Sequence, residues 1–308
     1  MKYDLIIDSR PTEVALALLR DGLLIEFHKE KHDNDFSVGD IYLAKVRKTV
    51  PGLNAAFVNV GYERDGFLHY LDLGAHYNSY KKFTNQAINQ KLNTASLKNF
   101  KKEKTLDKEG AINNVIKNGD LLLTQISKEP ISTKGPRLTT EISLAGRYMV
   151  LLPFSDKVSI SQKIDDSKEQ SRLKKLIRSI KPHGFGVIIR TVAKDKKVAE
   201  LDRDLKNLYK KWQLITKNLK NAKPKSKIHG ELNKASTILR DLLGEKFNKI
   251  QVNNDQLKTE LQEYLSKIAP EKEKNVKIYK KSTPIFQEFN VTKQIKGAFG
   301  KNVTMKKG

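Results

Sequence analysis

The sequence contains 308 residues, and its 59 Lys and Arg against 35 Asp and Glu give a formal net charge of +24 at pH 7. Such an excess favours a polyanionic partner, with nucleic acid first, because each neutralised phosphate releases condensed counterions, and an anionic membrane surface second. The absence of cysteine excludes disulfide bonds and thiolate metal sites, and no segment has the roughly 20 apolar residues of a membrane span.

The length of the chain predicts two or three domains, because single hydrophobic cores stop growing at about 250 to 300 residues. A lysine-biased genome contributes to such a composition, but solubility alone does not require a charge of this size. The first residues, Met1-Lys2-Tyr3-Asp4, lack the basic-then-apolar order of a signal peptide. We therefore expect a cytoplasmic protein that is not secreted.

The first segment predicts a three-stranded meander. Its short apolar runs are Tyr3–Asp8, Glu13–Leu19 and Leu23–His28. Arg20-Asp21-Gly22 supplies the turn between the second and third strands, since Gly takes positive φ readily.

From Val38 to Thr140, short apolar strands alternate with glycine-containing turns, which is typical of a small β-barrel. The predicted barrel strands are Ile41–Val46, Ala55–Val60, Gly66–His69 and Leu121–Ile126. Between Gly74 and Gly110 the pattern gives way to polar residues, with eight Lys against three acidic side chains. This segment predicts a long basic loop inserted into the barrel.

A mixed pattern of strands and helices follows the barrel. Tyr148–Leu152 and Gly186–Arg190 are predicted as buried strands, with a helix from about Lys168 to Ile180 between them. A longer helix follows, because six apolar residues recur at alternating spacings of four and three. These residues, predicted as core, are Leu201, Leu205, Leu208, Trp212, Ile215 and Leu219.

The last part of the chain predicts two further amphipathic helices. Their apolar positions are Ala235, Ile238 and Leu242, then Leu257, Leu261, Leu265 and Ile268. The strand-like segment Lys249–Val252 separates them, and Pro270 ends the second.

Two aromatic residues, Phe57 and Phe67, fall on neighbouring strands of the predicted barrel. They are flanked by cationic residues, namely Lys45, Arg47, Lys48 and Arg64. Aromatic rings on a basic β surface stack with unpaired bases while the cations follow the phosphates, which suits single-stranded nucleic acid. The alternative is that both rings fill the barrel interior, and spacing alone favours it because alternation buries every second residue of a strand.

Short motifs follow one another along the chain. Around the predicted barrel they are Val38-Gly39-Asp40-Ile41-Tyr42, Gly52–Val58 and Gly66–His69. Further on they are Ser127-Lys128-Glu129-Pro130, Thr133–Thr140 and Ile142–Tyr148. Together they resemble the ribonuclease E/G family, the first three its S1 domain. The similarity runs from Asp8 to Gly308, and ordered agreement over many motifs is more specific than any one of them.

The resemblance implies an α+β, multidomain fold. An S1 β-barrel of the OB-fold type is inserted into an RNase H-like mixed α/β subdomain and is followed by an α/β 5′-sensor region. The implied boundaries are 1–37 for the first RNase H-like part, 38–140 for the S1 barrel with its basic loop at 74–110, 141–227 for the 5′-sensor, 228–297 for the second RNase H-like part, and 298–308 for the start of a DNase I-like catalytic subdomain.

The same resemblance implies that Phe57, Phe67 and Lys134 contact substrate RNA, and Lys128 is a less close match to a contact residue. It also implies that Arg190-Thr191, which follows the apolar strand Val187–Ile189, binds a 5′-monophosphate. A guanidinium and a hydroxyl can hold a terminal phosphate from two sides, although a solvated strand end is the simpler interpretation of this common dipeptide.

Further residues complete the implied phosphate pocket. Gly146 and Val150 match positions that line it in the family, and another family pocket residue is expected beyond Gly308. We expect the missing residue to weaken the site in this chain.

The catalytic centre of the family uses aspartates that hold Mg²⁺ in the DNase I-like subdomain, downstream of the stretch resembling Asn290–Phe299. Such a site needs clustered carboxylates to bind a hard cation that activates water. The matched motifs supply no such cluster, since Asp165-Asp166 resembles a helix-capping pair, and Asp202 and Asp204 are predicted on a solvated helix face. We therefore expect no catalytic residue and no metal ligand in this chain.

The function implied is the RNA-binding and 5′-monophosphate-sensing portion of a Mg²⁺-dependent endoribonuclease that cleaves single-stranded RNA in RNA processing and decay. The parent enzyme is expected to be a homo-oligomer, and this fragment an inactive monomer. The alternative is a non-catalytic S1-type RNA-binding or ribosome-associated protein complete at 308 residues, which a stop codon after Gly308 would favour. A basic membrane-surface protein is a third alternative, and it predicts liposome binding that RNA does not compete away.

Overall fold

The computed structural model describes residues 2–31, 36–230, 234–242 and 247–298. The chain divides into two compact units, one formed by Met1–Asn34 with Leu232–Gly308 and the other by Asp35–Glu231. Both units combine strands with helices, so the fold class is α+β. The segment 298–308, expected to begin a catalytic subdomain, lies outside the described residues apart from Ala298.

The elements are numbered along the chain. The strands are β1 (Tyr3–Ser9), β2 (Glu13–Arg20), β3 (Leu23–Lys31), β4 (Ile41–Val50), β5 (Ala55–Asn59), β6 (Gly66–His69), β7 (Leu121–Lys128), β8 (Arg137–Thr139), β9 (Leu144–Ala145), β10 (Met149–Pro153), β11 (Val158–Ile160), β12 (Phe185–Ile189), β13 (Lys227–His229), β14 (Phe247–Val252) and β15 (Val276–Ile278). The α-helices are α1 (Tyr77–Ile88), α2 (Ile112–Val115), α3 (Ser167–Ile180), α4 (Val198–Lys220), α5 (Lys234–Leu242), α6 (Asp255–Ile268), α7 (Ile285–Glu288) and α8 (Val291–Ala298). Within the described ranges, none of these helices combines the length and the apolar character needed to cross a bilayer.

The first unit contains a mixed five-stranded sheet in the order β15-β14-β1-β2-β3. β1, β2 and β3 run antiparallel, which confirms the predicted meander, whereas β14 is parallel to both β1 and β15. The turn between β2 and β3 has positive φ at Asp21 and Gly22, 50° and 81°. This two-residue geometry matches the right-handed twist of the flanking strands.

Side chains of β1 alternate between apolar clusters on the two faces of this sheet. Leu5 and Ile7 pack with residues of α5 and α6, whereas Ile6 packs with Ile285 and Phe286 of α7. Because both faces are covered, β1 is a continuous apolar run and not an alternating one. α5, α6 and β14 lie where the sequence predicts them, although β14 begins two residues earlier.

The second unit contains a closed five-stranded β-barrel, β4-β5-β6-β8-β7, in which β7 pairs back with β4. One part of β4, Ile41–Lys45, pairs with β7, and the part up to Val50 pairs with β5. A bulge between Val46 and Lys48 bends the strand between these two partners. The structure confirms a barrel in this segment, with β4 extending four residues beyond the predicted strand.

The segment 74–110, predicted as one long loop, contains the helix α1. Aromatic and apolar residues at spacings of three and four lie on one buried face of this helix. They are Tyr77, Tyr80, Phe83 and Ala87. The ring centroid of Phe83 is 5.1 Å from that of Trp212 in α4. The loop interpretation is wrong for this part, because polar residues between the rings dilute the local apolar pattern.

The second unit also contains a four-stranded sheet, β11-β12-β10-β9, with α3 and α4. The side chain of Asp166 accepts hydrogen bonds from the N–H groups of Lys168 and Glu169, which confirms its predicted role as the cap of α3. The apolar stripe of α4, from Leu201 to Leu219, is buried as predicted and shares one core with β10 and β12. This packing places α4 beside the β9–β10 hairpin.

Candidate nucleic-acid interface

Phe57 and Phe67 lie opposite each other on the antiparallel strands β5 and β6. Their neighbours Ala56, Val58 and Leu68 are fully buried in the barrel core, so alternation directs the two phenylalanine rings outward. Both phenylalanines are half-buried, and their ring centroids are 6.0 Å apart with planes at 70°. The alternative in which these rings fill the barrel interior is therefore wrong.

Cationic side chains surround this aromatic pair. The ammonium of Lys48 lies 5.4 Å from the centre of the Phe57 ring, within the range of a cation–π interaction. The two rings line a surface cavity of about 700 Å³. The cations that line the same cavity are Arg47, Lys48, Arg64, Lys134 and Arg137. A cavity of this size can receive a flat ring such as an unpaired base while its rim attracts the adjacent phosphates.

The loop that carries Lys134 is fixed against β6. Backbone hydrogen bonds between Ile131 and Lys134 close a tight turn, with N···O distances of 3.2 and 3.0 Å. The N–H of Phe67 donates a hydrogen bond to this loop at 2.8 Å. Gly135 approaches the backbone so closely that a Cβ atom there would lie 2.1 Å from the carbonyl oxygen of Asp65. These contacts hold Lys134 at the rim of the cavity beside Phe67.

Lys128 occupies a different position. It is exposed at the end of β7, where Arg137 of β8 is its register partner. Arg137 lines the cavity, whereas Lys128 is not among the described residues that line it. The guanidinium of Arg137 is oriented by two hydrogen bonds to the carboxylate of Asp72, at 3.0 and 3.2 Å. Three of the four predicted RNA-contact residues thus share one cavity, and Arg137 and Tyr62, which were not predicted from the sequence, also line it.

Arg190 follows β12 directly and contacts the β9–β10 hairpin at two points. Its backbone N–H donates a hydrogen bond to the carbonyl of Tyr148 at 2.9 Å. Its guanidinium Nη1 donates to the carbonyl of Gly146, also at 2.9 Å. The side chain is therefore tied to the backbone of the hairpin and is not a loosely solvated strand end.

The other candidates lie next to Arg190 in the chain or near it in the sheet. The hydroxyl of Thr191 is 2.8 Å from the hydroxyl of Ser161, so the two orient each other. Val150 of β10 is the register partner of Ile188 on the partly exposed face of the sheet. The structure thus brings together Gly146, Val150, Arg190 and Thr191, which we call the Arg190 cluster.

Asp204 of α4 adjoins the Arg190 cluster and is only 8% exposed. Its carboxylate accepts hydrogen bonds from the N–H groups of Arg147, Tyr148 and Met149 at 3.1, 2.8 and 3.2 Å. The expectation that Asp204 lies on a solvated helix face is wrong, whereas Asp202 is partly exposed. Burial raises the pKa of the Asp204 carboxyl, and the three N–H groups oppose that rise.

Several carboxylates elsewhere in the described residues are engaged in contacts of their own. Asp8 of β1, for example, accepts hydrogen bonds from Arg10 and from Nδ2 of Asn253. Across the described part of the chain, no three His, Asp or Glu side chains are grouped so that they could hold a metal ion.

Comparison with known proteins agrees with these features. The model of the ribonuclease E/G family matches residues 143–308, more than half of the chain, including the Arg190 cluster. The chain belongs to the ribonuclease E/G family. Ribonuclease G of Haemophilus influenzae is 31% identical over 305 residues, covering 99% of this chain and 58% of that relative. Ribonuclease G of Escherichia coli strain K12 is 31% identical over 313 residues, covering 100% and 59%.

Similarity to a second kind of relative covers less of the chain. Ribonuclease E of Nostoc sp. is 30% identical over 275 residues, which are 88% of this chain and 36% of that relative. The chain spans just under three fifths of the length of the two ribonuclease G relatives. Membership of the ribonuclease E/G family confirms the resemblance that the ordered motifs indicate.

Proposed function

We propose that this chain is the RNA-binding and 5′-monophosphate-sensing portion of an endoribonuclease that cleaves single-stranded RNA in rRNA processing and mRNA decay. The observation that supports RNA binding most directly is the outward-facing pair of Phe57 and Phe67 in a cavity lined by cations. The reaction class is inferred from the ribonuclease E/G family, whose relatives are named as ribonucleases.

An unpaired base suits the aromatic cavity better than a base pair. Because the rings of Phe57 and Phe67 are inclined at 70°, a base can stack on one ring and contact the edge of the other. In a duplex, both faces of a base are already covered by its neighbours. Cations on the rim, including Lys48 and Lys134, would follow the phosphates on either side of the stacked base.

The Arg190 cluster supports recognition of a terminal 5′-phosphate. A terminal monophosphate offers oxygens that an internal phosphodiester lacks, and a guanidinium with a nearby hydroxyl can engage them together. Arg190 is tied to the hairpin through Gly146, and Thr191 is oriented by Ser161. Side chains that are already held lose less conformational freedom on binding, which favours affinity. Val150 would form an apolar wall of the same site.

We propose that RNA cleavage is carried out by the full-length enzyme. No three His, Asp or Glu side chains are grouped as metal ligands among the described residues, and we propose that the enzyme holds Mg²⁺ with carboxylates outside them, where the ion would activate water. We also propose that the chain is monomeric, that the full-length enzyme is a homo-oligomer, and that both work in the bacterial cytoplasm.

Binding of labelled oligoribonucleotides tests this function. One short unstructured sequence is compared as a single strand, as a duplex and with a 5′-monophosphate or 5′-hydroxyl, all at the same salt concentration. We expect the single strand to bind more tightly than the duplex, and the 5′-monophosphate form more tightly than the 5′-hydroxyl form. The double variant Phe57→Ala, Phe67→Ala should lose most of the single-strand preference. Equal affinity for single strand and duplex in the unmodified chain would contradict the proposal, as would liposome binding that RNA does not displace.

A further inference from the structure

Asp204 and Arg190 hold the same two peptide groups from opposite edges. In the peptide group between residues 146 and 147, the carbonyl accepts a hydrogen bond from Nη1 of Arg190 at 2.9 Å, and the N–H donates to Oδ1 of Asp204 at 3.1 Å. In the peptide group between residues 148 and 149, the carbonyl accepts from the backbone N–H of Arg190 at 2.9 Å, and the N–H donates to Oδ2 of Asp204 at 3.2 Å.

This arrangement couples the carboxylate to the guanidinium. A peptide group is planar, and its C=O and N–H point in opposite directions, so fixing the direction of one fixes the other. Hydrogen bonds in series also polarise one another, and an anion that accepts from the N–H makes the carbonyl of the same peptide a stronger acceptor. Asp204 thereby both aims and strengthens the two acceptors that hold Arg190.

The support behind Asp204 is rigid. The residue lies between the buried Leu201 and Leu208 on the apolar stripe of α4. From the preceding turn of that helix, the carboxylate of Glu200 accepts a hydrogen bond from the hydroxyl of Tyr148 at 3.0 Å. Two residues of α4, Glu200 and Asp204, therefore hold the β9–β10 hairpin by hydrogen bonds.

Gly146 fits the same account. A Cβ atom at this position would lie 2.6 and 2.8 Å from the two carboxylate oxygens of Asp204. Real Cβ atoms do not approach oxygens so closely, so a side chain at residue 146 would displace the carboxylate or the hairpin. Glycine at this position is therefore explained by the approach of Asp204, in addition to any role in lining a pocket.

We infer that Asp204 is a positioning residue of the 5′-phosphate site, which sets the guanidinium of Arg190 through two peptide groups without touching RNA itself. The inference rests on the function proposed for the Arg190 cluster. A buried carboxylate beside a site for an anion is unfavourable on charge grounds, since both are negative. Here the three N–H groups stabilise the negative charge of Asp204. The carboxylate therefore affects the site through the position of the Arg190 guanidinium.

Asp204→Asn is the informative variant. It keeps the size of the side chain but replaces one acceptor oxygen with an NH₂ group that faces N–H donors of the hairpin. The matched control is Asp202→Asn, which makes the same chemical change on the partly exposed face of α4. The quantity measured is the ratio of affinities for the 5′-monophosphate and 5′-hydroxyl forms of one short oligoribonucleotide.

The expected result is specific to the end group. Asp204→Asn should lower the ratio by about five- to tenfold, the effect of losing one ordinary hydrogen bond. Affinity for the 5′-hydroxyl form, which depends on the barrel, should not change, and Asp202→Asn should keep the original ratio. If Asp204→Asn retains its melting temperature and the original ratio, the inference is overturned.

Two further measurements cover the remaining outcomes. If Asp204→Asn does not fold, Gly146→Ala displaces the carboxylate without removing it and should also lower the ratio, and an unchanged ratio in that variant overturns the inference. If the unmodified chain shows no preference for a 5′-phosphate, the proposed function fails. NMR signals of the Arg190 guanidinium then decide the positioning role separately: a shift in Asp204→Asn with unchanged barrel amide signals supports it, and unshifted signals overturn it.

Discussion

The rings of Phe57 and Phe67 meet edge to face across β5 and β6, with 6.0 Å between their centroids. On the other side of the same strands, Ala56, Val58 and Leu68 fill the barrel interior and are fully buried. Folding of the barrel and its proposed affinity for RNA therefore depend on different residues of the same two strands. The two properties can be changed one at a time.

Replacement of either outward ring should affect RNA binding more than stability. We expect Phe57→Ala and Phe67→Ala each to weaken single-strand binding by about 1 to 3 kcal/mol, the value of one base–aromatic stack. Leu68→Ala should instead destabilise the fold by about 2 to 5 kcal/mol, because it leaves a cavity in the core. Calorimetry and binding assays on the same samples separate the two effects.

A control for exposed aromatic area is available in the first unit. Phe27 is 41% exposed and does not belong to the barrel, so Phe27→Ala removes a partly exposed ring from another part of the chain and should leave RNA affinity unchanged. A large fall in melting temperature for Phe57→Ala, with normal affinity of the folded fraction, would show that the ring supports the fold and not the RNA.

The close approach of Gly135 to Asp65 gives a second prediction. An alanine Cβ at residue 135 would lie 2.1 Å from a backbone oxygen, so the Lys134 loop must move. We expect Gly135→Ala to weaken RNA binding and to reduce stability by about 1 to 3 kcal/mol, as overpacking generally does. Gly52→Ala is the matched control, because nothing lies within 4 Å of a Cβ there. Normal affinity in Gly135→Ala would show that the position of this loop does not matter.

The third prediction concerns acid stability. Glu169 of α3 accepts two hydrogen bonds from the guanidinium of Arg172, at 2.6 and 2.7 Å, and one from the N–H of Asp195 at 2.9 Å. The hydrogen-bonded guanidinium, in the first place, lowers the pKa of the Glu169 carboxyl. Its stabilising contribution is therefore complete above the ordinary pKa of a glutamate and is lost as the pH falls through the lowered pKa.

Urea denaturation of Glu169→Gln across this acid range measures the contribution. The variant should lose about 1 to 3 kcal/mol of unfolding free energy at pH 7, since hydrogen bonds to a charged group are removed. It should also lose less stability than the unmodified chain on acidification. Parallel curves for the two proteins from pH 7 to the acid limit would show that Glu169 does not titrate as described.

Local patterns in the sequence predict most of the elements, because strands such as β1 and helices such as α3 follow from residues close together in the chain. The direction of Phe57 does not follow in this way. It depends on which face of β5 closes the barrel, and that face is set by pairing with β4 and by the bulge between Val46 and Lys48. Spacing alone therefore predicts, wrongly, that the ring of Phe57 faces the barrel interior.

The burial of Asp204, by contrast, could have been predicted from the sequence. It follows Leu201 by three residues and precedes Leu208 by four, so helical geometry puts it on the buried stripe and not opposite to it. An acidic residue on such a stripe must find hydrogen-bond donors. Which donors these are depends on the β9–β10 hairpin. The hairpin residues lie 55 to 57 positions before Asp204, so the spacing of α4 does not reveal them.

The fourth prediction is that the chain binds RNA without cutting it. Among the residues that the structure describes, no three His, Asp or Glu side chains are grouped so that they could hold a metal ion. A labelled single strand incubated with the chain and Mg²⁺ should shift in a gel and remain intact. The double variant of Phe57 and Phe67, purified in parallel, identifies any contaminating nuclease. Cleavage that the unmodified chain shows and this variant lacks would contradict the prediction.

The fifth prediction distinguishes the geometry of Arg190 from its charge. Lysine keeps the positive charge, but it is a point charge without the planar fork that engages two oxygens. It also lacks the second nitrogen that would let it hold the carbonyl of Gly146 and a phosphate oxygen in one plane. We therefore expect Arg190→Lys to lose most of the preference for a 5′-monophosphate, nearly as much as Arg190→Gln.

Lys194 provides the control for charge alone, because it is exposed three residues after Thr191. Lys194→Gln should weaken binding of the 5′-monophosphate and 5′-hydroxyl forms by the same factor, since a screened surface charge acts on the whole polyanion. A full preference in Arg190→Lys would mean that a point charge suffices and that the fork has no part in recognition. A preference that survives Arg190→Gln would place the 5′-phosphate elsewhere, because the only change in that protein is the loss of the guanidinium tied to Gly146.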